Sequence, residues 1–167
     1  IYRLPGEKLP DTIEIESDLE KACTDQDIIV FSVASPYVRS TAKEAKAFIK
    51  PGQIVVNVGK GIEEATLLPL CDVIEDEIKG ADVAVLSGPS HAEEVSKGVP
   101  TTVVVGAKTE KTAAFVQDVF MGSRFRVYTS PDIIGIELGG SLKNVIALAA
   151  GIADGMGYGD NAKAALI

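Results

Sequence analysis

Asp27-Ile-Ile-Val-Phe-Ser-Val33 decides the fold. A continuous apolar run of this length, with Gln26 before it and Pro36 after it, reads as a strand buried on both faces. Ile54–Val58 and Asp82–Leu86 repeat the pattern downstream. Between the first two runs, Pro36–Ile49 has helical amphipathicity and stops at Lys50-Pro51-Gly52. Between the second and third, Glu64–Lys79 reads as helical with a break at Pro69. Pro89–Lys97 is then a short helix, Thr101–Val105 a fourth strand, Thr109–Met121 a helix opened by a threonine cap, and Phe125–Thr129 a fifth strand. Strands alternating with crossover helices predict an α/β fold, a doubly wound parallel sheet with helices on both faces.

Outward from this centre the pattern changes. Ile1–Pro10, with Pro5, Gly6 and Pro10, reads as loop, and Thr12–Glu16 alternates like a strand. Ser17-Asp18-Leu19-Glu20 fits a capping box opening a short helix through Cys23. Beyond Pro131 there is no strand signal. Asp132–Gly155 is rich in Ala, Leu and Ile at helical spacing and predicts one long, largely buried helix. Gly155–Gly159 breaks it, and Asp160 caps a further helix that stops at Ile167. The expected division is therefore 1–130, an α/β domain, and 131–167, the beginning of an all-α domain. The abrupt ends suggest a piece of a longer protein.

The chain has 167 residues, 16 Lys+Arg against 24 Asp+Glu and a formal charge of −8. With 46% hydrophobic residues it is expected to be globular. The acidic balance argues against nucleic acid or an anionic membrane as main partner, without excluding an anionic small molecule at a locally positive site. The longest apolar run, Val145–Ala153, is far short of the roughly 20 residues of a spanning helix. Two distant cysteines, Cys23 and Cys71, suit neither a disulfide framework nor a zinc site and fit a reducing cytosol.

Ligands of open parallel sheets bind beyond the carboxyl ends of the strands. Lys60, between Gly59 and Gly61, could supply a point charge to an anion or could be a solvated turn lysine. Ser87-Gly88-Pro89-Ser90 leads into Ala92-Glu93-Glu94, whose first-turn N–H groups could hold an anion or merely be capped by Ser90. His91 reads as a first-turn or packing residue. Glu137-Leu-Gly-Gly-Ser-Leu-Lys143-Asn144 is the sharpest segment. Gly139 and Gly140 each cost about 1 kcal/mol in a helix, so something must approach that face. Lys143 lies among apolar neighbours, where desolvation would suit it to proton transfer, or where it could snorkel to the surface. Asn144, about 100° round the helix, could orient Lys143 or a substrate. Asp160 reads as a helix start, and Asn161 and Lys163 stay open.

Taken together, Tyr2-Arg3-Leu4-Pro5-Gly6, Lys60-Gly61-Ile62-Glu63, Ser87–Glu94 and Glu137–Ile167 resemble the bacterial-type NAD(P)-dependent glycerol-3-phosphate dehydrogenases, over nearly the whole chain. The resemblance implies a Rossmann-like sheet followed by an all-α substrate domain. It implies hydride exchange between NAD(P)(H) and dihydroxyacetone phosphate or sn-glycerol 3-phosphate, supplying phospholipid precursors in the cytoplasm. Lys143 would be the general acid/base. Lys60 would touch substrate and cofactor, Gly88 and Ser90 the substrate, Ala92 the cofactor, and Asn144 the substrate oxygen. No metal and no membrane insertion are expected, and a homodimer is left open. The family's usual Val-Pro-Ser is Val33-Ala34-Ser35 here, with the proline at Pro36. Its Gly-rich G-x-G-x-x-[GA] turn, and the position that selects NAD or NADP, would precede Ile1. Two further readings remain: another dehydrogenase combining such a sheet with a helical domain, acting on a hydroxy or keto acid, and a non-catalytic phosphate- or nucleotide-binding module.

Overall fold

The apolar runs become five strands. The computed structural model describes residue 4 and residues 6–166, so the loop expected over 1–10 and the stretch Tyr2–Gly6 lie partly outside the described residues, as does Ile167. β1 (Ile28–Phe31), β2 (Ile54–Asn57) and β3 (Asp82–Ser87) pair in parallel, with Ile28 opposite Ile54 and Ile54 opposite Asp82. β4 (Thr101–Ala107) runs antiparallel to β3, with Ser87 opposite Val104, and β5 (Phe125–Ser130) is parallel to β4. Spatial order follows chain order.

The sheet is thus mixed, not wholly parallel as expected, and the β3–β4 connection is the reason. A parallel return needs a crossover able to travel back along the strand. The helix in this connection, α4 (Ala92–Ser96), has only 5 residues and rises about 7.5 Å. β3, with 6 residues, spans about 20 Å. The chain therefore turns back at the strand end.

Helices cover both faces. α2 (Val38–Ala45), entered through a 3₁₀ turn at Ser35–Tyr37 in which Pro36 occupies the first turn, packs with α3 (Leu70–Glu77) on one side. α5 (Glu110–Phe120) lies on the other, its first turn capped by the Thr109 side chain, which accepts from Thr112 N. Successive strand residues point to opposite faces, so Val55 joins Val38, Leu70 and Ile74 in one core while Val56 joins Val103, Val116 and Val127 in the other. Each such buried side chain contributes about 1.5–3 kcal/mol relative to exposure.

Other expectations shift. Thr12–Glu16 is exposed and forms no strand, since β1 pairs only with β2 among the described residues. α1 (Leu19–Cys23) is capped by Asp18, which accepts from Glu20 N, and not by Ser17. The helix read over 64–79 shrinks to α3, because Pro69 disfavours helical backbone at the residue before it and Leu67 adopts a φ of 60°.

The long helix exists as α6 (Ile133–Gly155), capped by Asp132 onto Gly135 N at 2.8 Å. It was expected to be largely buried, yet Glu137 and Ala153 are its only buried residues, and Val145 and Leu148 are 61% and 66% exposed. Its first turns pack on β3 and β4, while its later turns are met by α7 (Asp160–Leu166). At 23 residues and a mean hydropathy of 1.5 over its most apolar window, α6 is long and apolar enough to cross a membrane by length and composition alone.

Candidate active site

β2 ends in Asn57, whose side chain folds the chain after it. Its Oδ1 accepts from Gly59 N at 3.0 Å, and its Nδ2 donates to Gly59 O at 3.3 Å. That turn presents Lys60. Three residues on, Glu63 is held side-on by Arg39 in a bidentate pair, Nε donating at 2.7 Å and Nη2 at 2.8 Å. Arg39 Nη1 also reaches Asp76 at 2.7 Å and Glu77 at 2.9 Å. The loop bearing Lys60 is therefore pinned to α2 and α3.

β3 ends at Ser87, followed by Gly88 with a φ of 157°. A Cβ at Gly88 would stand 2.9 Å from both Thr102 O and Val103 Cα, so only glycine lets the returning chain pass this closely. Across from it runs α6. Ile136, Gly139, Gly140 and Lys143, at i, i+3, i+4 and i+7, form one face of that helix. A Cβ on Gly140 would lie 2.7 Å from Ser87 Oγ and 3.5 Å from Lys60 Cγ, which is the close approach the paired glycines implied. The result is a cavity of about 370 Å³ whose lining includes Lys60, Ser87, Gly88, Gly139, Gly140 and Lys143.

No carboxylate among the described residues lines this cavity, although the chain carries a charge of −8. Two lysines thus make it locally cationic. Burial first, and then the ammonium of Lys143, hold the Lys60 ammonium below the usual lysine range. Lys60 Nζ donates to Ser90 Oγ at 3.4 Å, and Ser90 Oγ donates to Gly88 O at 3.3 Å.

Among the residues expected to act, Lys60, Gly88, Ser90 and Lys143 come together. Asn144 is exposed beside Lys143 and accepts from its Nζ at 3.3 Å. Ala92, the first residue of α4, lies on an adjoining apolar cleft of about 400 Å³ shared with Ser90, Val58 and Leu86. The buried setting expected for Lys143 is not found: its neighbours Leu142 and Ile146 are 45% and 40% exposed, and the desolvation falls on Lys60 instead. His91 is exposed, with Nδ1 at 3.0 Å from a Glu93 carboxylate oxygen. Lys163 is tied to Asp154 at 2.9 Å and Asp160 at 3.3 Å, joining α7 to α6.

A buried polar link behind the cavity has no counterpart in the expectations. Glu137 Oε1 accepts from Cys71 N at 3.0 Å and Asn57 Nδ2 at 3.5 Å. Ser141 Oγ accepts from Gly61 N at 3.0 Å and donates to Glu137 O at 2.8 Å. The available signal was Glu137 four residues before Ser141, two polar groups on one stripe of an apolar helix.

Residues 2–113 match the family described as NAD-dependent glycerol-3-phosphate dehydrogenase N-terminus, and residues 132–167 its C-terminus. The chain belongs to the NAD-dependent glycerol-3-phosphate dehydrogenase family. A relative from Agathobacter rectalis named as an NAD(P)+ glycerol-3-phosphate dehydrogenase is 63% identical over 167 residues, covering 100% of this chain and 50% of its own length. One from Fusobacterium nucleatum is 56% identical, with 99% and 50% covered. The chain spans about half the length of the curated relatives it matches. The solved glycerol-3-phosphate dehydrogenase of Coxiella burnetii aligns with a TM-score of 0.85 at 34% identity, covering 98% of this chain and 50% of that one. The enzyme from Saccharomyces cerevisiae gives 0.87 at 29%, with 98% and 49% covered. A ketopantoate reductase from Ralstonia eutropha, at 0.55 and 18%, shares the fold alone. Within the glycerol-3-phosphate dehydrogenase family, the Rossmann-like expectation holds with the reversed β4–β5 pair already described.

Proposed function

We propose that the whole protein interconverts dihydroxyacetone phosphate and sn-glycerol 3-phosphate with NAD(P)(H). The observation that carries this reading is the pairing of Lys60 and Lys143 on one carboxylate-free cavity beside the carboxyl ends of β2 and β3. The family membership and the names of its relatives support it.

The residues present fit a flat ring and a small phosphorylated substrate. Gly139 has nothing within 4 Å of where a Cβ would lie, so bare helix backbone faces the cavity. The nicotinamide, when bound, supplies the hydride chemistry. Reduction of the central carbonyl leaves an alkoxide, and Lys143 delivers the proton to that oxygen. In the reverse direction it removes the proton. Lys60 adds a second cation beside the same oxygen and the cofactor edge. Gly88 and Ser90 contact the substrate, Ala92 borders the cofactor, and Asn144 orients Lys143. A second assignment makes Lys60 the proton donor. It is favoured by the burial and the neighbouring ammonium that ease its deprotonation.

In this reading residues 1–130 belong to the nucleotide-binding half and 131–167 open the substrate half. The free, buried Cys23 and Cys71 and the acidic balance support a cytosolic enzyme with small-molecule partners. The test is NADH oxidation by the full-length protein with dihydroxyacetone phosphate against keto-acid controls, and NAD+ reduction with sn-glycerol 3-phosphate against hydroxy-acid controls. Turnover of the controls alone would replace the proposed substrate.

A further inference from the structure

We infer that Glu137 is a positioning residue, a buried anchor that fixes the rotation and height of α6 against the β2 loop and so sets how Lys143 meets Lys60 across the cavity. The inference rests on the proposed function for its kinetic consequence but stands on geometry of its own.

Four observations carry it. First, Glu137 is only 6% exposed on a helix that is otherwise open to solvent over most of its length. Second, it is satisfied entirely by groups outside its own helix: the backbone N–H of Cys71 on α3 at 3.0 Å and the amide of Asn57 at the end of β2 at 3.5 Å. A buried carboxylate forfeits several kcal/mol of hydration unless donors are already in place, so only one seating of α6 is acceptable to it. Third, Asn57 spends its other contacts folding the turn that presents Lys60. The residue that receives Glu137 is therefore the residue that shapes the opposite wall. Fourth, one turn further on, Ser141 accepts from Gly61 N at 3.0 Å, directly after Lys60. Two contacts a turn apart determine both rotation and rise, where one would leave a pivot.

Every residue of α6 that faces the cavity is carried by this seating. Gly135, Ile136, Gly139, Gly140 and Lys143 line the cavity beside this stripe of the helix, and an error of one residue would turn them by about 100°. Glu137 lines neither this cavity nor the adjoining cleft, so it acts through Lys143 and does not touch substrate. The groups facing it are Asn57 and Cys71, with Asp72 as the nearby charge. Burial holds its carboxyl above the usual carboxylate range.

The test uses the full-length protein with Glu137→Ala, Glu137→Gln and Ser141→Ala, each checked for folding by circular dichroism. Two readouts are taken: steady-state kinetics, and the titration of the Lys60 side chain followed by carbon-13 NMR of its ε-methylene. The Lys60 readout does not require turnover, so it reports on the anchor even if the proposed substrate is wrong. Glu137→Ala should lower kcat about 10- to 100-fold with cofactor KM within about 2-fold, and should raise the Lys60 titration midpoint as the Lys143 ammonium moves away. Glu137→Gln, which keeps an acceptor for both donors, should stay within about 3-fold of wild type on kcat and leave the midpoint in place. If Glu137→Ala does not fold, Ser141→Ala carries the decision, with a smaller change in the same direction on both readouts. A folded Glu137→Ala or Ser141→Ala whose Lys60 midpoint is unmoved overturns the anchor. A folded Glu137→Gln with kcat down more than about 10-fold also overturns it, because the carboxylate would then be acting by charge and not by position.

Discussion

Lys60 and Lys143 line one cavity but differ in setting, Lys60 half-buried and Lys143 exposed. Lys143 is exposed, donates to Asn144 at 3.3 Å and lines the cavity together with Gly88; in the proposed reaction it supplies the proton. A positioned acid contributes about 10²–10⁴-fold to such a step, and arginine, which stays protonated, cannot replace it. In the full-length protein Lys143→Arg should therefore bind cofactor nearly normally while kcat falls by about two orders of magnitude or more. Asn144→Ala should cost less. A Lys143→Arg variant near wild-type kcat, with Lys60→Arg inactive, would move the proton to Lys60. Lys60 itself is held at a cost to folding. Its folded-state pKa lies below that of the unfolded chain, so the unfolded state binds more protons between those two values, and stability rises with pH across that window. Below it, the buried charge is a penalty. Lys60→Met should raise the melting temperature at neutral pH while abolishing turnover; an unchanged or lower melting temperature would show that the charge is compensated in the folded state.

The Arg39 clamp works at the scale of elements, joining the Lys60 loop to α2 and α3. Its hydrogen bonds, followed by that of Thr66, hold the Glu63 carboxyl at about 2. A depressed carboxylate stabilises the fold above its unfolded value of about 4.3, and that contribution is lost as pH falls toward about 2. Arg39→Met should lower the melting temperature at pH 7, and the deficit should close between pH 4.5 and 2. A deficit constant over that range would assign the effect to packing of the Arg39 stem. The elements themselves were largely legible. β2 and β3 announced themselves by unbroken apolar runs, whereas β1, expected to be buried on both faces, leaves Val30 42% exposed, and the Thr109 cap fell where its side-chain chemistry put it. Lys60, Gly88 and Lys143 were legible as strand-end or helix-face residues. The orientation of β4 was not, because its Val-rich run reads the same in either direction and only the shortness of α4 decides it. The exposure of Lys143 was not legible either, since hydropathy along a helix does not say what lies opposite. The Arg39–Glu63 pair, 24 residues apart, and the Glu137–Asn57 contact, 80 apart, carry no local signature at all.

For the molecule as a whole, the division between a packed sheet and an open helix governs behaviour. The later turns of α6 expose Val145, Leu148 and Ile152, an apolar surface of the kind that drives association. The 167-residue chain, half the length of its relatives, should fail to oxidise NADH with dihydroxyacetone phosphate and should bind a hydrophobic dye. Saturable turnover by this chain alone would show that residues 1–167 suffice for catalysis. The reversal of β4 has a further consequence. Because β4 and β5 run against β3, the chain leaves β5 at the foot of the sheet, opposite the cavity, and α6 must climb back along β3 to reach it. Ile133 and Ile136 meet Gly106 on the way, and Gly140 meets Ser87 at the top. The ten residues from Ile133 to Lys143 rise about 15 Å, roughly three-quarters of the length of the strand they climb. The helix therefore works as a ruler graduated in residues, with its zero at Glu137 and its reading taken at Lys143. One alanine inserted between Ser141 and Leu142 would shift that reading by about 1.5 Å and 100°. Activity should then be lost even though every side chain of the site is still present, whereas one alanine inserted between Ser130 and Pro131, ahead of the helix, should cost far less, because the graduation from Glu137 to Lys143 is unchanged.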